Sequence, residues 1–435
     1  MPLWMLALAC RLGATDTRSD SPADSPPDSP ADSPGDSPVD SPVDTGQPDL
    51  GPDAECTELG CLRSAEVVGS FTREQIEAVL APGTTLDNGY QAWTIAYLTE
   101  AGEALATVTL PQDLREAAPA AGFPIVANNH GTIGVSDLCA LSGTEGGLAL
   151  AALFGAYGSI GVAPDYPGLG TSAPHLYLNA REEATSALDA LRAAAQLAHW
   201  QEVPTSDRYA MVGLSQGGHA TLSAAAIHAD YAPELDIRAF AASGPASLYE
   251  EHWRSGVAVN GGHMVYHALL AWSFSQGAGV DDAAIWGSAV ADIVDARMEG
   301  RCLWNPDFGS APLLTDGFPV VSTQVFSAAY LSEYSSGSWS QFAHIHQGFE
   351  DNRIRPWLAE GETQTADLAI FQGTLDAVIP LSGTRELVTD LRAGGVQVEL
   401  FEVEGGTHTT TAYGFLGSQE LARSESMAWV MERLD

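Results

Sequence analysis

The chain has 435 residues, 45% of them hydrophobic, enough to bury a large core, and its formal net charge is −38. All 18 basic residues are arginine, and such acidity excludes electrostatic binding to nucleic acid or to an anionic membrane surface. The charge bears on solubility and partners, not on fold.

At the N-terminus, Leu3-Trp4-Met5-Leu6-Ala7-Leu8-Ala9-Cys10 is an apolar run ending in a small residue and a cysteine. It resembles the tail of a bacterial lipoprotein signal peptide, in which Cys10 would be lipidated and become the mature N-terminus. The run is short and no basic residue precedes it, so we expect the natural start to lie upstream. Residues 1–10 are read as this signal and residues 11–55 as a spacer. From Asp20 to Asp44 an aspartate recurs every fourth residue in an Asp-Ser-Pro-x repeat, which buries nothing, repels itself and favours extended polyproline conformations. No stretch approaches the roughly 20 apolar residues that a spanning helix needs. A single catalytic domain is expected over residues 56–435.

Four cysteines remain beyond Cys10. Cys56 and Cys61 bracket a short loop that could close on itself, which would leave Cys139 and Cys302 as the second pair. Four cysteines allow three connectivities, and four buried thiols is the alternative. Pairing would imply an oxidising compartment.

Phe123 to Asn129 reads as a strand that ends at His130-Gly131-Thr132. Ile160 to Ala163 reads as another, followed by Pro164-Asp165-Tyr166-Pro167-Gly168-Leu169-Gly170, in which Asp165 is taken as a loop-ordering residue. Arg208 to Val212 then reads as a short buried strand, and the alanine-rich Gly218 to His228 as a helix. Between them lies Gly213-Leu214-Ser215-Gln216-Gly217. A serine between glycines at a strand-to-helix turn is a nucleophile elbow: small neighbours let strand and helix approach closely, and the helix N-terminus favours developing negative charge.

After a strand at Asp236 to Ala242, the strand and helix alternation is interrupted. We place an inserted cap at about 245–363, rich in aromatic residues: Tyr249, Trp253, Tyr266, Trp272, Phe274, Trp286, Trp304, Phe308, Phe318 and Phe326. Two readings stand equal, a lid over an acyl-binding pocket and a helical subdomain whose aromatics form its own core. His263 and His267 have the i, i+4 spacing of a zinc pair, but no third ligand is evident, so they are read as structural and no metal is expected.

Leu368 to Gly373 is the next buried strand, and the loop Thr374 to Pro380 carries Asp376. The bland role for Asp376 is a helix cap or an Asx-turn. A helix from Ser382 to Ala393, a strand from Val396 to Val403 and the turn Gly405-Gly406-Thr407-His408 follow. Of the 11 histidines, His408 alone lies downstream of Asp376. A serine nucleophile needs a histidine to take its proton and a carboxylate to orient that histidine. Ser215, Asp376 and His408 supply the three groups. Two backbone donors for the oxyanion are expected at Gln216, directly after the serine, and at Thr132, after the earlier strand.

Together, Asn129-His130-Gly131-Thr132, Ala163 to Gly170, Gly213 to Gly218, Gly373-Thr374-Leu375-Asp376 and Gly405 to His408 resemble the secretory lipase family of the α/β-hydrolases, which includes fungal lipase A enzymes and bacterial relatives. The resemblance runs from about Val67 to the C-terminus. It implies an α/β fold with a mostly parallel sheet flanked by helices and an inserted, mainly helical cap. The nucleophile falls on Ser215, the acid on Asp376 and the base on His408, in the chain order that fold requires. The expected activity is that of an exported carboxylic ester hydrolase without cofactor. Its substrate would be a small-molecule or lipid ester, triacylglycerols among the candidates. The protein would be a cell-envelope lipoprotein tethered through Cys10, or secreted. A serine peptidase or acyltransferase on the same fold is the alternative. A non-catalytic surface binding protein is a further one, against which three retained catalytic groups argue.

Overall fold

The computed structural model describes residues 51–77, 88–112, 118–155, 158–305, 313–359, 363–409 and 425–435. Cys10, the Asp-Ser-Pro repeat and Phe308 lie outside the described residues. Three antiparallel strands open the fold: β1 (Leu62–Phe71), followed by the short helix α1 (Arg73–Glu77), then β2 (Tyr90–Thr99) and β3 (Gly102–Pro111). β2 and β3 pair along their whole length, from Thr99 opposite Gly102 to Tyr90 opposite Pro111. These strands were not anticipated from sequence, although the short connection Glu100-Ala101-Gly102 between two apolar runs, with glycine at φ 108°, is a hairpin signal.

The remainder alternates as expected: β4 (Phe123–Asn129), α2 (Glu145–Gly155), β5 (Ile160–Pro164), α3 (Ala180–Trp200), β6 (Thr205–Leu214), α4 (Gln216–Tyr231) and β7 (Asp236–Ser243). The nine strands form one sheet in the order β1-β2-β3-β5-β4-β6-β7, continued by β8 (Asp367–Gly373) and β9 (Glu399–Val403). From β5 through β9 the neighbours are parallel. Parallel strands covered on both faces read as continuous apolar runs. Every residue of β4 is buried, and in β8 every residue after Asp367.

Successive side chains go to opposite faces of this sheet. Ala127, Met211, Phe240 and Ile370 join the core that includes Leu188 and Leu191 of α3 and Leu222 of α4. Val126, Ala210, Ala241 and Phe371 face Phe154 of α2 together with Trp429 and Val430 of a C-terminal helix, Glu425–Leu434. The helix expected after β8 spans Leu381–Ala393. The last strand is shorter than expected, because pairing with β8 begins only at Glu399; Val396 and Val398, though buried, lie ahead of it.

Between β7 and β8 the described chain is mainly helical: α5 (Glu250–Val257), α6 (Met264–Ala278), α7 (Val294–Gly300), α8 (Ser322–Val325), α9 (Ala328–Ser336) and α10 (Ala343–Asn352). These helices share a core of their own. Trp272, Phe274, Trp286, Phe318 and Phe326 are buried in it, with Trp253 and Tyr266 packed against it. Tyr330 and Tyr334 stack at 5.5 Å between ring centroids, and Phe349 continues the column from Tyr334. Of the two readings of the aromatic residues, the separate core is the one these contacts follow. Two residues depart from it, Tyr249, which packs into the main core, and Trp304, which is 54% exposed.

Both disulfides form: Cys56 with Cys61, and Cys139 with Cys302. The second joins the loop after β4 to the cap, where Leu303 N–H also donates to the Ile133 carbonyl at 2.7 Å. His263 Nε2 donates to the Gly256 carbonyl at 3.0 Å, and the His267 ring packs edge-on against Trp253. Burial pushes the His267 imidazole down to about 3, which keeps it neutral. No helix among the described residues is long and apolar enough to cross a membrane.

Candidate active site

Ser215 sits between β6 and α4 with φ 60° and ψ −113°, a backbone conformation that L residues rarely adopt. Strain of this kind costs about 1–3 kcal/mol and persists only where the surroundings impose it. Here β4 and α4 touch: a Cβ added to Gly217 would stand 2.0 Å from the Asn129 carbonyl oxygen. The Ser215 N–H donates to Ser243 O at 2.9 Å, and its carbonyl accepts from His219 N–H at 3.0 Å and Ala246 N–H at 3.3 Å. The turn is thus fixed to the end of β7 and to the first turn of its own helix.

Asp376 follows β8. Its Oδ1 accepts the Val378 and Ile379 N–H groups at 2.8 Å each, and its Oδ2 accepts from Gln372 Nε2 at 2.9 Å. The Asx-like turn of the bland alternative is therefore present, and it accompanies a second contact. The Nδ1 of His408 lies 2.8 Å from Asp376 Oδ2. Burial pushes the Asp376 carboxyl up, but the His408 hydrogen bond and charge, with the two backbone N–H donors, outweigh it and hold the group below its usual value of 3.8. Gly244, at φ 49°, forms the wall between this pair and the serine turn. A Cβ there would stand 3.1 Å from Asp376 Oδ2 and 3.2 Å from His408 Nδ1, and its chain neighbour Ser243 receives the Ser215 N–H.

On the other side, the loop after β4 comes up to the serine. A Cβ on Gly131 would lie 3.8 Å from Ser215 Cβ. Thr132 follows, buried, with its Oγ1 3.0 Å from the Tyr177 hydroxyl. Gln216 is the first residue of α4, where backbone N–H groups have no partner within the helix. Asp165 is buried beneath this loop: its carboxylate accepts Leu141 N–H at 2.7 Å, Ser142 N–H at 3.0 Å and the Ser142 hydroxyl. It orders the loop, as expected.

The other histidines near the elbow are engaged elsewhere. The His130 ring lies tilted against Tyr166, with centroids 4.3 Å apart, and burial pushes its imidazole down to about 4. His175 is pushed down to about 3, again by burial. His219 is one turn into α4, with Nδ1 on Glu183 and Nε2 on the Asn352 carbonyl. Sequence reasoning missed Gln372, Tyr177, His175, Glu183 and His219. For Glu183 a signal existed: it shares the stripe of Ala187 and Leu191, so a carboxylate stands on the apolar face of a helix. Among the described residues no group of three or more His, Cys, Asp or Glu side chains gathers as a metal site.

Residues 146–255, which include the elbow, match the family model described as Secretory lipase. No curated protein sequence matches the chain. Solved structures do. The rice cell wall degrading esterase LipA from Xanthomonas oryzae superposes with a TM-score of 0.68 at 18% identity, covering 87% of this chain and 98% of that one. A putative hydrolase from Legionella pneumophila gives 0.70 at 20% identity, over 86% and 98% of the two chains. Candida antarctica lipase A in its closed state gives 0.58 at 17%, over 82% and 80%. The chain has the α/β-hydrolase fold, and it resembles the secretory lipases in the segment that carries the Ser215 turn.

Proposed function

We propose that the protein is an exported serine carboxylic ester hydrolase of the lipase or esterase type. The observation that carries this reading is the arrangement around Gly244, with a strained serine turn on one side and a histidine–carboxylate pair on the other. Ser215 Oγ attacks the ester carbonyl while His408 takes its proton. Backbone N–H groups of Gln216 and Thr132 stabilise the oxyanion of the tetrahedral intermediate. His408 then returns the proton to the leaving alcohol, and Asp376 holds the imidazole in the tautomer that this requires. Water, deprotonated by His408, cleaves the acyl-enzyme to release the carboxylic acid and regenerate Ser215. The Secretory lipase match and the esterase and lipase neighbours support an ester over a peptide substrate.

Export is supported by the two disulfides, which form and persist in oxidising compartments. In this reading residues 1–10 are a lipoprotein-type signal with Cys10 lipidated. Residues 11–55 are a spacer, and residues 56–435 are the catalytic domain with its cap at about 245–363. The test is hydrolysis of p-nitrophenyl esters of increasing chain length beside aminoacyl-amide substrates, with labelling by a serine-directed phosphonate. Ester turnover and labelling, both lost in Ser215→Ala, are expected. Amide cleavage without ester cleavage would favour a peptidase, and labelling retained in Ser215→Ala would place the nucleophile elsewhere.

A further inference from the structure

We propose that His219 is a buried imidazolium paired with Glu183, and that this pair, together with His175, positions Gln216 and ties the serine turn to the last helix of the cap. The catalytic part of this inference rests on the functional reading above; the protonation part does not. The hydrogen-bond pattern fixes each group in turn. His175 Nδ1 lies 3.1 Å from the Pro167 carbonyl, which can only accept, so Nδ1 carries the hydrogen and Nε2 is an acceptor. Gln216 Nε2 has two hydrogens, and its two neighbours are His175 Nε2 at 2.9 Å and Glu183 Oε1 at 2.8 Å. Both hydrogens are used, which sets the amide orientation.

Glu183 Oε1 also receives the N–H of Leu178 at 3.0 Å, a residue held at φ 59°. Its Oε2 lies 2.8 Å from His219 Nδ1, and His219 Nε2 lies 2.8 Å from the Asn352 carbonyl. The two N–H donors on Oε1 favour the ionised carboxylate, and with Glu183 ionised the ring faces an acceptor on each side and donates twice, as only the imidazolium can. Neither side chain has any exposure. A buried ion pair adds little net stability over an apolar pair but costs much when one partner is removed, so its value lies in fixing one arrangement. Asn352 ends α10, and its Oδ1 accepts the Ala180 N–H at 2.9 Å, so the same residue holds the start of α3. Gln216 follows Ser215 directly and offers the proposed oxyanion N–H. Its clamped side chain limits how far that N–H can turn.

The test combines a count of ring protons with kinetics. In wild-type protein labelled with ¹⁵N-histidine, the His219 ring, assigned by its disappearance in His219→Gln, is expected to carry hydrogen on both nitrogens at neutral pH. Glu183→Leu should lower kcat on a p-nitrophenyl ester by about 10- to 1000-fold, the scale of a displaced oxyanion donor, with KM changed less than about twofold. Glu183→Gln should recover most of that loss while the His219 ring gives up one proton, because an amide can accept from Gln216 and donate to Nδ1. A single protonated ring nitrogen in the wild type would overturn the ion pair, and wild-type kcat in Glu183→Leu would overturn the positioning role. If Glu183→Leu fails to fold, Gln216→Leu, which keeps the backbone N–H but loses both side-chain hydrogen bonds, should show the same loss of kcat; wild-type kcat there would overturn the positioning role, and the wild-type spectrum decides the ion pair. Wild-type protein that neither hydrolyses esters nor takes the phosphonate would remove the functional reading and the positioning role together, with the proton count still deciding the pair.

Discussion

Asp376 Oδ2 and His408 Nδ1 stand 2.8 Å apart, although 32 residues separate them in the chain. The carboxylate takes three further N–H donors, from Gln372, Val378 and Ile379, so it cannot turn away from the ring. Such rigidity is what the role proposed for the pair, a positioned base and its support, requires.

Asp376→Asn tests this most directly. An amide leaves the shape intact but removes the acceptor that selects the Nδ1–H tautomer, so kcat on an ester should fall about 10³- to 10⁴-fold with little change in KM. His408→Ala should cost at least as much. Steady-state kinetics on one p-nitrophenyl ester read both.

Ser215→Gly should trade activity for stability. Glycine adopts φ 60° without the penalty a side chain incurs, and about 1 kcal/mol should remain after the extra freedom of the unfolded chain is subtracted. Urea unfolding should therefore shift to a higher midpoint while hydrolysis disappears. A lower midpoint would show that the turn is not strained.

The two disulfides should contribute unequally. Cys139 and Cys302 close a loop of 163 residues in sequence separation, whereas Cys56 and Cys61 are separated by 5. The chain-entropy relation gives about 5 kcal/mol for the first and about 2 kcal/mol for the second. Replacing the Cys139–Cys302 pair by serines should lower the melting temperature more than replacing the other pair. It should also slow catalysis, since that bridge anchors the loop leading from Thr132. Equal shifts would count against the model.

Asp165 and Asp376 should act oppositely on stability as pH changes. Asp376 is held below its usual value, so its contribution is present above about pH 4 and is lost as pH falls through the lower folded value. Burial raises Asp165 from 3.8 to about 6 despite its hydrogen bonds from Ser142 and Leu141. Its contribution is then greatest below 3.8 and is lost as pH rises through about 6. The unfolding free energy of wild type minus that of Asp165→Asn should fall between those values and level off above them, as urea titrations at stepped pH would show.

The sequence alone determined the alternation of β4 through β9 with helices, because strands buried on both faces must be continuously apolar and the turns between them carry their own glycine and proline signals. It also singled out the Ser215 turn, since a serine flanked by glycines between a strand and a helix is a local pattern, and chain order made His408 the candidate base. The pairing of Cys139 with Cys302 was one of three connectivities that the sequence left open, and the fold chose it by bringing the loop after β4 against the cap. The tertiary structure decided what depends on distant neighbours. β1 to β3 acquire their meaning from pairing on the edge of the parallel sheet, and the cap aromatics from packing on one another. Gln372 and Tyr177 become part of the site only because the strand ends converge on it. Glu183 and His219 lie 36 residues apart on different helices, and nothing in either local pattern says that the two will share one hydrogen bond inside the protein. Local propensity is written in adjacent residues, whereas a buried polar network exists only once the chain has closed around it.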